Sequence, residues 1–119
     1  MNSLQEAREI AKILSEHKGL DINVIKIDDI SVLADYMVIA TGNSSTHVKS
    51  LADYVETDMD SKGVSVSHIE GYRSNSWILL DYVDVIVHVF SDESRKYYDL
   101  DRLWEDGEAV DISDILGEE

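Results

Sequence analysis

The chain has no cysteine and no proline, and only one phenylalanine. Without cysteine, disulfides, thiol catalysis and thiolate metal sites are excluded outright. Without proline, the turns fall to Gly, Asn, Asp and Ser. No apolar run approaches the ~18 residues that suggest a membrane span. No charged-then-apolar signal opens the sequence, so a cytoplasmic protein with no membrane partner is expected. Cations are scarce: ten Lys and Arg stand against 25 Asp and Glu, a formal charge of −15. The basic residues are scattered from Arg8 to Arg102, and only Arg95 and Lys96 are adjacent. Counterion release from a phosphate backbone needs clustered cations, so no direct nucleic-acid specificity is expected. The charge favours a basic protein partner reached by field-steered association, or it simply keeps the chain soluble or reflects a salt-adapted host.

What is present is a regular alternation of apolar patterns. A length of 119 residues and an apolar fraction of 44% suit one domain with a real core. Ser3-Leu4-Gln5-Glu6 has the form of a capping box. Leu4, Ala7, Ala11 and Leu14 follow at helical spacing, widened by Ile10 and Ile13. This predicts a helix over 4–18 that ends at Gly19. Strands are predicted at 22–27 and 36–40, the latter closed by Thr41-Gly42-Asn43. Ser44 or Ser45 can cap a helix over 46–62, whose core face is Val48, Leu51, Ala52, Val55 and Met59. Further strands are predicted at 64–69, 77–81 and 85–90, with a loop at 71–76. The last two strands form a hairpin turning at Tyr82-Val83. Ser91 can cap a final helix over 92–98, with Leu100, Leu103 and Trp104 packing beyond it. After Trp104 come seven acidic residues and no Lys or Arg. Val110, Ile112, Ile115 and Leu116 interrupt that tail, so it can dock as a short amphipathic segment. The expected fold is a single α/β (α+β) domain with a mixed five-stranded sheet, in the order αββαβββα.

Sites for chemistry are weak. Thr41-Gly42-Asn43-Ser44-Ser45-Thr46 opens a helix after a strand, which can bind an anion, but it is neither a phosphate loop nor a dinucleotide fingerprint. His17, His47, His68 and His88 have no metal-ligand spacing, and no nucleophile elbow is present. The readings are therefore no catalytic residue, no metal and no cofactor. The hairpin is more informative. With a two-residue turn, His88 faces Trp77 and Ile86 faces Leu79. Trp77, Leu79, Asp81, Asp84, Ile86 and His88 then share one sheet face, with Ile78 and Leu80 on the other. If the first two helices cover one face only, the face bearing Trp77 is either a protein-binding surface or core beneath the last helix.

Asp35-Tyr36-Met37-Val38-Ile39-Ala40-Thr41-Gly42-Asn43-Ser44 and Trp77-Ile78-Leu79-Leu80-Asp81-Tyr82-Val83-Asp84-Val85-Ile86-Val87-His88-Val89-Phe90 carry a resemblance. So do Ser91-Asp92-Glu93-Ser94-Arg95-Lys96-Tyr97-Tyr98 and Leu103-Trp104. In this order and spacing they resemble the ribosomal silencing factor family, also called Iojap-related, from about Leu4 to Trp104. The resemblance implies a domain over 1–104 followed by an acidic tail over 105–119. It also implies that the protein is not an enzyme. It implies binding to the large ribosomal subunit through its protein numbered fourteen, steric exclusion of the small subunit, and repression of translation. The residues it carries over as partner-binding are Asp35, Tyr36, Trp77, Asp81, Tyr82, Asp84, His88, Arg95 and Tyr98. A homodimer of the free protein is compatible with this reading. The family pattern typically has Gly where Val83 stands, so either the turn differs here or the hairpin is strained.

The family's fold also resembles nucleotidyltransferases, which makes a metal-dependent enzyme of that class the alternative. Such enzymes place Gly-Ser near a strand end and Asp-x-Asp on a strand. Here the first reads Gly42-Asn43-Ser44. The only Asp-x-Asp patterns, Asp58-Met59-Asp60 and Asp99-Leu100-Asp101, fall at or after helices, so converging carboxylates are not expected.

Overall fold

The computed structural model describes residues 1–73 and 76–117, and the side chain of Leu103 lies outside what it describes. Helix α1 spans Ser3–Glu16. Its capping box sits one residue earlier than the sequence suggests. The Asn2 side chain accepts from the Gln5 backbone N–H at 2.8 Å, and Gln5 Oε1 accepts from the Asn2 N–H at 2.9 Å. At the other end Lys18, not Gly19, takes the left-handed conformation. Gly19 is needed for space, because a Cβ there would lie 2.9 Å from the Leu14 carbonyl oxygen.

Strands β1 (Leu20–Lys26) and β2 (Tyr36–Gly42) follow, and every residue of β2 is buried. Helix α2 (Ser45–Ser61) is capped by Ser44, whose hydroxyl accepts from the His47 N–H. Its five expected core residues are all buried. Strand β3 is only His68–Glu70, shorter than the alternating stretch 64–69 suggests. Val64 and Val66 instead pack half-buried against the core. Strands β4 (Trp77–Asp81) and β5 (Val85–Ser91) lead into α3 (Asp92–Tyr98), capped by Ser91, and α4 (Leu100–Leu103). The chain continues through β6 (Glu108–Ala109) and α5 (Ser113–Leu116).

The sheet order is β3-β4-β5-β2-β1-β6. Among the described strands only β2 and β5 run parallel; the other neighbours are antiparallel. The five strands expected become six because the tail covers the outer edge of β1. Unpaired edge groups favour such a cover. Glu108 and Ala109 pair with Lys26 and Ile25, and the Val110 N–H donates to the Val24 carbonyl at 2.9 Å. Ile112 is buried, and Arg8 of α1 holds the Asp111 carbonyl and the Asp114 carboxylate.

The β4–β5 hairpin turns at Val83-Asp84, one residue beyond the expected position. Tyr82 N–H donates to the Val85 carbonyl at 2.9 Å, Asp81 pairs with Ile86, and Trp77 pairs with Phe90. Each β4 residue thus meets a partner two positions further along β5 than expected. A slide of two leaves every side chain on its face, because the strand period is two. The turn thus differs from the expected one, and it is also strained at Val83. Val83 has φ +75°, and the Asp84 N–H donates to the Tyr82 carbonyl at 2.9 Å. That is the uncommon, strained form of γ-turn. Asp81 supports it, its carboxylate accepting from the Val83 N–H at 2.7 Å.

The two sheet faces differ. Helices α1 and α2 cover the face bearing Ile78, Leu80, Val85, Val87 and Val89, all fully buried. The other face carries Met37, Ile39 and Phe90 in a smaller core that Leu100 and Trp104 cover only in part.

Candidate protein-docking face

On the second face, the part left open is a trough of about 350 Å³. Its floor is Leu79 and Ile86, both half-buried, with Met37 and Ile27 beside them. Trp104 and Leu100 close one side. Asp81, Glu70, His68 and His88 contribute the polar groups. The β1–β2 loop extends the apolar surface, because Leu33 lines the trough and is 71% exposed, while its neighbour Val32 is fully exposed. Exposed apolar side chains clustered beside an apolar trough mark an interaction surface.

Trp77 and His88 form one unit. The Trp77 indole N–H donates to His88 Nδ1 at 2.9 Å. Because β4 and β5 pair Trp77 with Phe90, the indole reaches diagonally to its histidine. Phe90 lies 5.1 Å and Tyr98 4.4 Å from the Trp77 ring, centroid to centroid. Trp77 is thus half-buried within an aromatic cluster, with Tyr98 at its exposed margin. His88 is 5% exposed, and burial pushes its pKa down to about 4.

The other residues carried over divide by place. Asp81 lines the trough. Asp35 and Asp84 lie together at the end of the sheet, where the Asp84 carbonyl accepts from the Asp35 N–H at 2.8 Å and the Tyr36 N–H at 3.2 Å. Tyr36 and Tyr82 were expected at the partner surface, but both are buried in the helix-side core. Tyr82 sits just before the turn, where its ring faces α1 and α2. Its hydroxyl has no hydrogen-bond partner among the described residues, and burial, then Glu56, Glu6 and Asp60, raise its pKa.

Arg95, also expected to meet a partner, is turned inward. Its side chain is 10% exposed. It holds Asp101 with two hydrogen bonds at 2.9 and 3.0 Å, and reaches the Asp21 carbonyl at 2.6 Å and the Thr41 hydroxyl at 2.8 Å. This two-pronged ion pair holds Asp101 below the usual carboxylate range and ties α3 and α4 to β1 and β2. Asp101 is thereby committed to the fold rather than to a metal. Among the described residues no group of three or more His, Asp or Glu is arranged to hold a metal ion. Nor is any helix long and apolar enough to cross a membrane.

Sequence reasoning placed Leu79 and Ile86 on this face but left them out of the site. It missed Leu33, Glu70 and Trp104 as trough residues. The loop's Ile30, Val32 and Leu33 gave the one usable signal, an apolar cluster next to a turn.

Comparison with known proteins agrees with this architecture. A protein from Bacillus subtilis named ribosomal silencing factor is 34% identical over 112 residues, covering 94% of this chain and 95% of that one. A crystal structure of a Chromobacterium violaceum protein, 34% identical, superposes with a TM-score of 0.86 over 88% of each chain. One from Bacillus halodurans, 30% identical, gives 0.75 over 91% of this chain and 95% of its own. The family described as "ribosomal silencing factor during starvation" matches residues 1–119. With relatives so named along nearly its whole length and the same fold in solved structures, this chain belongs to the ribosomal silencing factor family.

Proposed function

We propose that the chain silences ribosomes by occupancy. It docks on the large ribosomal subunit through the protein numbered fourteen, and its bulk excludes the small subunit, which represses translation in the cytoplasm. The observation that carries the reading is the open second face. An apolar trough rimmed by Asp81 and Glu70, on a chain of charge −15, suits an apolar and basic protein surface. Family membership supplies the ribosome as the place to look for that surface. In the free protein, a second copy meeting the same face about a two-fold axis would cover it.

The mechanism requires no bond to be made or broken. The nucleotidyltransferase alternative needs converging carboxylates, which the described Asp-x-Asp patterns do not offer. Asp58 and Asp60 lie at the end of α2, and Asp101 is held by Arg95 and Asn23. Light scattering of mixed subunits tests the proposal. Scattering should fall in proportion to the fraction of large subunits bound, with no added nucleotide, and excess isolated partner protein should restore it. Unimpaired joining at saturating protein, or a block that requires a nucleoside triphosphate, would overturn it.

A further inference from the structure

His88 carries one ring nitrogen that none of the described residues uses. Its Nδ1 accepts from the Trp77 indole at 2.9 Å, so a neutral ring must carry its proton on Nε2. Burial keeps the ring neutral at ordinary pH. Nothing among the described residues accepts from Nε2, and that atom is not among the sealed, unpartnered ones. The residue is buried, at 5% exposure, yet it lines the trough. The fold therefore fixes a neutral donor, its tautomer set by Trp77, at the edge of an apolar floor. A donor left dry when a partner covers it costs free energy unless the partner supplies an acceptor.

Resting on the docking reading above, we propose that His88 Nε2–H is the specificity donor of the trough. It donates to a carbonyl oxygen of a protein segment whose apolar side chain covers Leu79 and Ile86. A Lys or Arg of the same segment meets Asp81 and Glu70. The acidic rim selects a protein over RNA, since Glu70 and Asp81 repel phosphate. A segment offering an ammonium or another donor group at that point is rejected, because His88 Nε2–H and the half-buried indole have no acceptor to give it.

Two amide variants separate this role from a structural one. In His88→Asn the amide oxygen takes the place of Nδ1 and still accepts from Trp77, but no donor reaches the position of Nε2. In His88→Gln the amide reaches the position of Nε2, and Trp77 loses its acceptor. Thermal unfolding and co-sedimentation with isolated large ribosomal subunits are measured on both, with protein-free large-subunit RNA as a second probe. His88→Asn should be the more stable variant and yet bind subunits about tenfold more weakly than wild type. His88→Gln should be the less stable variant and the better binder, and RNA alone should bind neither. Affinity that follows stability across the two variants, or wild-type affinity in His88→Asn, overturns the donor role alone. Binding to the bare RNA overturns the choice of a protein segment. Failure of the wild-type chain to sediment with large subunits overturns the docking reading, and the donor role with it.

Discussion

The two faces of the sheet are built from the same strands and yet do different work. On the helix side Ile78, Leu80, Val87 and Val89 are wholly buried, and their environment asks only for apolar bulk of the right shape. On the other side Phe90 is wholly buried too, but the remaining alternate residues of the same strands are Trp77, Leu79, Asp81, Ile86 and His88. They are half-buried or polar, and the helices α3 and α4 cover only part of them. The first face holds the molecule together. The second keeps a smaller core and, beside it, an apolar floor, fixed polar groups and an acidic rim left open. A strand whose two faces differ so sharply is carrying a surface as well as a core.

The largest effect should come from paired truncations on neighbouring residues of β4. Leu80→Ala opens a cavity in the helix-side core and should cost about 2–5 kcal/mol. Leu79→Ala removes a half-exposed side chain and should cost roughly 1 kcal/mol, from the smaller area lost. Chemical denaturation of the two variants measures the difference, and equal losses would erase the contrast between the faces.

Next in size is a pH effect confined to the second face. His88 is held at about 4, below its ordinary 6.5, so protonation favours the unfolded chain. Its contribution is complete above pH 6.5 and is lost as pH falls from there toward 4, up to ~3 kcal/mol. Stability profiles of wild type and His88→Asn should converge in acid. Parallel profiles through that window would show that His88 does not titrate as a buried neutral ring.

The smallest effect lies at the turn that joins β4 to β5. Val83→Gly removes a β-branched residue from φ +75° and should stabilise by about 1 kcal/mol, net of the greater freedom Gly has when unfolded. A melting temperature that falls would mean that Val83, 62% exposed, makes a contact worth more than its strain.

Much of this was legible in the sequence, for physical reasons particular to each element. The core stripe of α2 was read correctly because five apolar residues at helical spacing leave one solution. Face assignment on β4 and β5 survived a misplaced turn because the error was a slide of two. The turn itself was misplaced because a two-residue link at Tyr82-Val83 is the simplest one, although Tyr82 continues the Ile78 and Leu80 alternation into the helix-side core. Arg95 was misread because its partners, Thr41 and the Asp21 carbonyl, are 54 and 74 residues away, and no local pattern reports such a clamp. The sixth strand was missed because two residues carry no periodicity; only Ile112 and its apolar neighbours showed that the tail would dock.

The measurement that most directly tests the second face as the ribosome-facing surface is the affinity of Ile86→Lys for isolated large subunits, read beside its melting temperature. Ile86 is half-buried on the trough floor and pairs with Asp81, so a lysine can lie along the floor with its ammonium at the rim. The account predicts a melting temperature within a few degrees of wild type, with binding weakened about thirtyfold or more, as for an interface anchor. A folded Ile86→Lys that sediments with large subunits as tightly as wild type would contradict it.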